Sequence, residues 1–216
     1  KLRGKRGSSV NIKVFRKGDA DIIDYTIIRG DIPLYSVDAS FMMSNNTGYV
    51  KVNRFSATTN EEFTNATNML LIKGMDKLIL DLRENGGGYL ESAYYMCNEF
   101  LEGNQLILYV EGQKRKKETY YSDDSGYLKN IELVILINEG SASASEIVAG
   151  CMQDNDRAII VGKRSFGKGL VQEEIRLTDG SAVRITTQRY YIPSGRSIQK
   201  PYGVNIKEYE MEMYKR

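Results

Sequence analysis

The sequence predicts a layered α/β domain whose reactive loops leave the carboxyl ends of its strands. Three observations point there. Strand-like and helix-like stretches alternate as β-α-β-α-β-α-β along the chain. The run Leu133-Val134-Ile135-Leu136-Ile137 is almost purely aliphatic, the pattern of a strand buried on both faces of a parallel sheet. Turns rich in small residues, Asn85 to Gly88, Gly140 to Ser145 and Ser165 to Gly169, follow strands at the places where α/β domains gather their chemistry, so all three are expected to converge on one crevice.

The elements follow in order. Two alternating stretches, Val10-Ile12-Val14 and Ile22-Ile23-Tyr25-Ile27, flank Lys17-Gly18-Asp19 and predict a hairpin over Val10 to Ile28. Asp31-Ile32-Pro33 breaks that pattern. Gly48 to Phe55 alternates as a strand. Thr58 to Glu62 then offers cap residues and first-turn acids before Phe63, Ala66, Leu70 and Leu71 at helical spacing. Lys77 to Leu82 reads as a buried strand, the glycine turn follows, and a helix is expected from about Leu90 to Leu101. Leu106 to Val110 is strand-like, whereas Lys114 to Asn130 reads as a loop or a solvent-facing hairpin. After Leu133 to Ile137, the small residues Ser141 to Glu146 start a helix. Ala158 to Val161 reads as a further buried strand, and Val171 to Leu177 and Ala182 to Tyr191 alternate as exposed strands do. No internal repeat or low-complexity tract is present.

Composition narrows the chemistry. With 216 residues, 41% of them apolar, a full core is within reach. Thirty basic against 28 acidic residues leave a net charge of +2, with dispersed lysines, which weighs against nucleic acid or an anionic membrane as the main partner. No run approaches the roughly 18 apolar residues of a membrane span, and Lys1 to Arg6 have no apolar segment behind them, so the protein is cytosolic or a targeting segment lies upstream. Cys97 and Cys151 sit in apolar, helix-like stretches and read as core thiols. Histidine is absent. That removes Ser-His-Asp and Cys-His catalysis and leaves a zinc site only carboxylates and two distant cysteines. A hydrolase of this sequence needs lysine, a carboxylate, tyrosine or a metal-bound water as its base.

Each turn has a plain and a chemical reading. Gly86-Gly87-Gly88 is a flexible tight turn, or a set of free N–H groups for an oxyanion. Ser141, Ser143 and Ser145 are helix caps, or hydroxyls at a helix N-terminus that favours a developing negative charge. Lys168, between glycines in Phe166-Gly167-Lys168-Gly169, is an exposed turn residue or a placed base. Gly162 to Gly169 also spells G-x-x-x-x-G-K-G, but Gly169 stands where a P-loop needs Ser or Thr, and a strand follows instead of a helix. Ser165-Phe166-Gly167-Lys168 matches S-x-x-K, but its glycine argues against the helix that motif requires and no K-T-G partner exists.

Taken in order, Leu80 to Gly88, Gly140 to Ile147, Gln153-Asp154, Val161-Gly162, Phe166 to Gln172 and Tyr190 to Ile198 resemble the C-terminal processing (tail-specific) protease family over about residues 35 to 200. The resemblance implies a sheet-and-helix superhelical core of the crotonase or Clp-protease type over residues 35–216, expected to be incomplete at its C-terminal end. Residues 1–34 are then the last strands of a PDZ domain, a module that captures a substrate's tail by strand addition. It implies Ser143 as nucleophile, Lys168, 25 positions later, as general base and Gln172 as the residue that orients the lysine. The oxyanion hole it implies is the N–H of Ala144 with that of Gly88 or Gly87, the choice being open because Gly86 replaces a frequent proline. The expected activity is an endopeptidase cleaving near the C-terminal end of protein or peptide substrates through an acyl-enzyme, with no metal, cofactor or nucleic acid and a place outside the cytoplasm. The alternatives are a catalytically silent peptide-binding scaffold of the same fold, against which the retained Ser143, Lys168 and Gln172 weigh, and an acyl-coenzyme-A enzyme on a similar superhelix.

A lysine base carries a requirement of its own. A free lysine has a pKa of about 10.4, so the ammonium has to be desolvated before it can accept a proton at neutral pH. Phe166 and Leu170 are expected to wall it in.

Overall fold

The computed structural model describes residues 2–19, 21–31, 34–202 and Met211. The chain divides into two compact units, Lys1–Leu34 and Tyr35–Arg216. In the first, β1 (Ser9–Val14) and β2 (Ile23–Ile28) form an antiparallel hairpin, with Ser9 opposite Ile28 and Val14 opposite Ile23. The hairpin expected from alternation is present, and its connection runs over residues 15–22.

The second unit is a mixed α/β structure with two sheets. Strands β3 (Val37–Met42), β4 (Thr47–Val52), β5 (Lys77–Asp81), β8 (Glu132–Ile137) and β9 (Ile159–Gly162) form a five-stranded sheet in the order β3-β4-β5-β8-β9. Only β3 and β4 pair antiparallel; the other neighbours are parallel. Helix α1 (Thr59–Ile72) links β4 to β5, α2 (Leu90–Phe100) follows β5, and α3 (Ala144–Asp154) links β8 to β9. Strands β6 (Leu106–Gly112), β7 (Arg115–Tyr121), β10 (Leu170–Arg176) and β11 (Ala182–Tyr191) form an antiparallel sheet in the order β10-β11-β6-β7.

Periodicity explains the packing. On α1, Phe63, Thr67 and Leu70 recur at helical spacing and are buried. On α3, eight of the residues from Ala144 to Met152 are buried, so this helix runs through the core and not along the surface. Leu78 and Leu80 of β5 and Leu133 and Ile135 of β8 form the centre of the sheet's buried face.

Three readings of the sequence change. Strand β3 has no counterpart among the expected elements, because Val-Asp-Ala-Ser-Phe-Met carries a weak alternation and the strand is an edge with three exposed positions. The polar stretch Lys114 to Asn130, expected as a loop or a solvent-facing hairpin, contains one mostly exposed strand, β7, which forms its hairpin with the preceding β6 and not within the stretch. The stretch Ala158 to Val161, expected as a buried strand, instead runs into the edge strand β9 (Ile159–Gly162), with Ile159 67% and Val161 46% exposed. An aliphatic run reports a strand but not its place in the sheet. Likewise β8 is fully buried only at Leu133 and Ile135, its other face being half-buried.

Candidate active site

The three turns named from the sequence meet. They leave the carboxyl ends of the parallel strands β5, β8 and β9, where an α/β sheet opens its crevice. Hydrogen bonds stitch them together: Ala142 N–H donates to Asn85 O at 3.0 Å and Phe166 N–H to Ser141 O at 2.9 Å.

The three serines separate at once. Ser141 and Ser145 are fully buried. The Ser141 hydroxyl donates to Leu82 O at 2.8 Å while accepting from Asn138 N–H, and the Ser145 hydroxyl donates to Asn85 O at 2.8 Å. Both tie the serine loop to the β5 loop. Ser143 alone is half-exposed, at the N-cap of α3 with φ 56° and ψ −113°. A non-glycine residue in that region is strained by about 1–3 kcal/mol, a cost that surrounding structure has to impose. The elbow leaves Ser143 half-exposed at the start of α3 while Ser141 and Ser145 on either side anchor the loop.

The glycine turn lies directly against this elbow. Gly87 adopts φ 92°, and a Cβ there would lie 2.7 Å from Ser143 Cβ and 2.8 Å from Ala144 N, so only glycine allows the approach. The buried Asn85 organises the turn, its Nδ2 donating to Val52 O at 2.8 Å and its Oδ1 accepting from Gly87 N–H at 2.9 Å. The Gly87 N–H is therefore already used. Among the described residues the N–H groups of Gly88 and Ala144 have no hydrogen-bond partner. Ala144 N–H is one of the free donors of the α3 N-terminus.

The lysine loop is pinned through its backbone. Gly167 O accepts from Lys200 N–H at 2.9 Å, and Gly169 O accepts from Tyr190 N–H at 2.8 Å. Gly167 N–H and Lys168 N–H both donate to the carboxylate of Glu146, at 2.6 and 2.9 Å. A Cβ at Gly167, where φ is 91°, would come within 2.6 Å of Lys200 Cβ, which accounts for the glycine before the lysine. The Lys168 side chain is exposed, so the walls expected from Phe166 and Leu170 do not enclose it here. Gln172 is exposed too, on β10 just after a register shift between Val171 and Gln172. A bulge re-aims the side chains that follow it, and among the described residues no hydrogen bond joins Gln172 to Lys168.

Two positions with strong roles went unassigned by sequence reasoning. Asn85 was visible only as a turn residue. Glu146 had a signal, the Ser143-x-x-Glu146 spacing of a capping box; its Oε2 accepts from Ser143 N–H at 2.8 Å.

At the root of the glycine loop, Asp81 is fully buried and bound by Arg83, by the Tyr49 hydroxyl at 2.6 Å and by Lys51 at 3.7 Å. Burial alone would raise its pKa, but the bonds from Arg83 and Tyr49 prevail and hold the carboxyl down at about 2. The cysteines are buried as expected, and burial, with Cys151 beside it, pushes the Cys97 thiol up. Among the described residues no cluster of three or more His, Cys, Asp or Glu side chains could hold a metal, and no helix is long and apolar enough to cross a membrane.

Comparison with known proteins sets the class and then the family. A serine-type peptidase is the class to which the similar proteins belong. The model of peptidase family S41 matches residues 46–207, and the chain belongs to that family. It is 35% identical over 202 residues to carboxy-terminal processing protease CtpB of Bacillus subtilis (strain 168), covering 93% of this chain and 42% of that protein. Carboxyl-terminal-processing peptidase 3, chloroplastic, of Arabidopsis thaliana is 34% identical over 211 residues, covering 93% of this chain and 41% of that protein. Among solved structures, the photosystem II D1 C-terminal processing protease superposes with a TM-score of 0.70 at 28% identity, covering 91% of this chain and 54% of that one. The chain thus spans less than half the length of these two curated relatives.

Proposed function

We propose that the chain carries the catalytic core of a serine endopeptidase that cleaves near the C-terminal end of protein substrates through an acyl-enzyme. One observation carries the reading: of three serines on the α3 elbow, Ser143 alone is not buried and has no side-chain bond to the neighbouring loop, and it precedes the unpartnered N–H of Ala144 and lies against Gly87 of the glycine turn, whose next residue, Gly88, also has an unpartnered N–H. Ser143 Oγ attacks the scissile carbonyl and passes its proton to the neutral Lys168 amine. The oxyanion accepts hydrogen bonds from Ala144 and Gly88, and the lysine returns the proton to the leaving amine. Water then enters, gives a proton to Lys168 and attacks the acyl carbonyl, and Lys168 returns the proton to the Ser143 oxygen as the acid product leaves.

Because Lys168 is exposed in the free chain, the substrate itself has to supply the desolvation that a lysine base needs. In this reading Gln172 reaches the lysine only once substrate lies over both. The unit over residues 1–34 is read as the last strands of a PDZ domain that captures substrate tails by strand addition. A location outside the cytoplasm is part of the same proposal, supported only by resemblance. No cofactor enters any step.

The exposed, unengaged Lys168 is also what a silent peptide-binding scaffold would present. One experiment separates the two: the full-length protein and its Ser143→Ala form are incubated with an unstructured protein substrate. Cleavage by the first and not by the second supports the proposal. Cleavage by neither favours the scaffold, and cleavage by both assigns the chemistry elsewhere.

A further inference from the structure

We infer that Glu146 is the positioning residue of the Ser143–Lys168 pair: one buried carboxylate holds the backbone of the nucleophile and the backbone of the base in a single register. The inference rests on the reading of Ser143 and Lys168 given above. Glu146 is 6% exposed and lies in the first turn of α3. Its Oε2 accepts from Ser143 N–H at 2.8 Å and from Lys168 N–H at 2.9 Å, and its Oε1 accepts from Gly167 N–H at 2.6 Å.

The glutamate of an ordinary capping box reaches back to the N-cap of its own helix and no further. Here two of the three donors come from a different loop, one that leaves β9. The carboxylate is therefore a cross-link between loops as well as a cap. Its chemistry suits the task, because an ionised carboxylate is acceptor-only and offers lone pairs on both oxygens. The three N–H groups and the α3 N-terminus together satisfy a buried negative charge that would otherwise be costly.

The exposure of Lys168 gives the cross-link its consequence. No packed wall sets where this side chain starts from, so its placement depends on its own backbone. The rest of the loop has separate anchors, from Phe166 N–H to Ser141 O and from Lys200 N–H to Gly167 O. Loss of Glu146 thus frees the amides of Gly167 and Lys168 without releasing the loop. A displacement of about 1 Å between nucleophile and base is enough to cost roughly 100-fold in rate.

The test uses the full-length protein and Glu146→Gln, which keeps the shape but turns one acceptor into an NH₂ facing an N–H. Three quantities are read: the rate of Ser143 acylation by a fluorophosphonate probe, kcat and KM on an unstructured protein, and the extent of labelling at long times. The expected result is a fall of about 10- to 100-fold in acylation rate and kcat, with KM within about threefold of wild type and labelling still reaching wild-type stoichiometry. A merely structural role would lower the labelled fraction and leave the rate per labelled site unchanged. That outcome, or wild-type rates throughout, overturns the inference.

Should Glu146→Gln fail to fold, amide hydrogen exchange on the wild-type protein decides. Gly167 and Lys168 N–H are expected to be protected, and exchange at solvent rates at both positions overturns the inference. Failure of the underlying reading looks different: Ser143→Ala then stays active and the probe leaves Ser143 unlabelled.

Discussion

At the scale of single residues, the three serines of the α3 elbow divide the work. Ser143→Ala is expected to lower hydrolysis about a thousandfold or more, because nothing else in the elbow carries a free hydroxyl. Ser141→Ala and Ser145→Ala are expected to keep the reaction while losing stability, since each removes a buried bond between loops. The loss is about 1 kcal/mol for Ser145 and up to roughly 3 kcal/mol for Ser141, whose removal also strands the Asn138 N–H. Thermal midpoints should fall by about 2–4 °C for each kcal/mol. An active Ser143→Ala beside a dead Ser141→Ala would sink the assignment. If Lys168 is the base, as proposed, Lys168→Arg is expected to be inactive at every pH up to 10, because guanidinium does not deprotonate. Turnover of Lys168→Arg near the wild-type rate would remove lysine from the mechanism.

At the scale of elements, the glycine turn is only as well placed as the strand end that feeds it. Asp81 closes β5 and holds Arg83, Tyr49 and Lys51 around one buried carboxylate. Its pKa is depressed from 3.8 to about 2. A carboxyl depressed in the folded state contributes stability that is complete above the unfolded pKa and is lost as pH falls through the folded value. The difference in urea midpoint between wild type and Asp81→Asn is therefore expected to be full at pH 5 to 7, to shrink between about pH 4 and pH 2, and to be smallest below pH 2. A difference that stays constant across that range would show that Asp81 acts by packing and not by charge.

At the scale of the whole molecule, the two units differ in how much core each owns. Among the described residues, the second holds every residue of the buried hydrophobic core, from Val50 to Ile192. The first is a two-stranded hairpin whose Phe15, Ile22, Ile27 and Ile28 are all more than 45% exposed. An isolated hairpin is marginal in water. A peptide of residues 1–34 is thus expected to show no cooperative melting by circular dichroism, whereas residues 35–216 melt in one transition. A cooperative transition in the short peptide would show a self-sufficient fold there.

The alternation of elements, the aliphatic run of β8 and the three small-residue turns were legible in the sequence because they are local: periodicity and turn chemistry act over a few residues. The ordered motifs likewise carried the family resemblance, which is what proposes Ser143 and Lys168 for the site. Tertiary structure alone decided the rest, for reasons of distance. Whether Ile159 and Val161 are core or surface depends on which strand ends the sheet, and the edge position of β9 leaves both exposed. Which glycine N–H is free depends on Asn85, whose carboxamide occupies that of Gly87. Ser141 and Ser145 are structural because backbone carbonyls from the β5 loop, 59 and 60 positions away in sequence, accept from their hydroxyls. Glu146 is visible in the sequence as a helix cap, but its second and third donors arrive from a loop 21 and 22 positions on. Only the closed fold brings those amides within reach of one carboxylate.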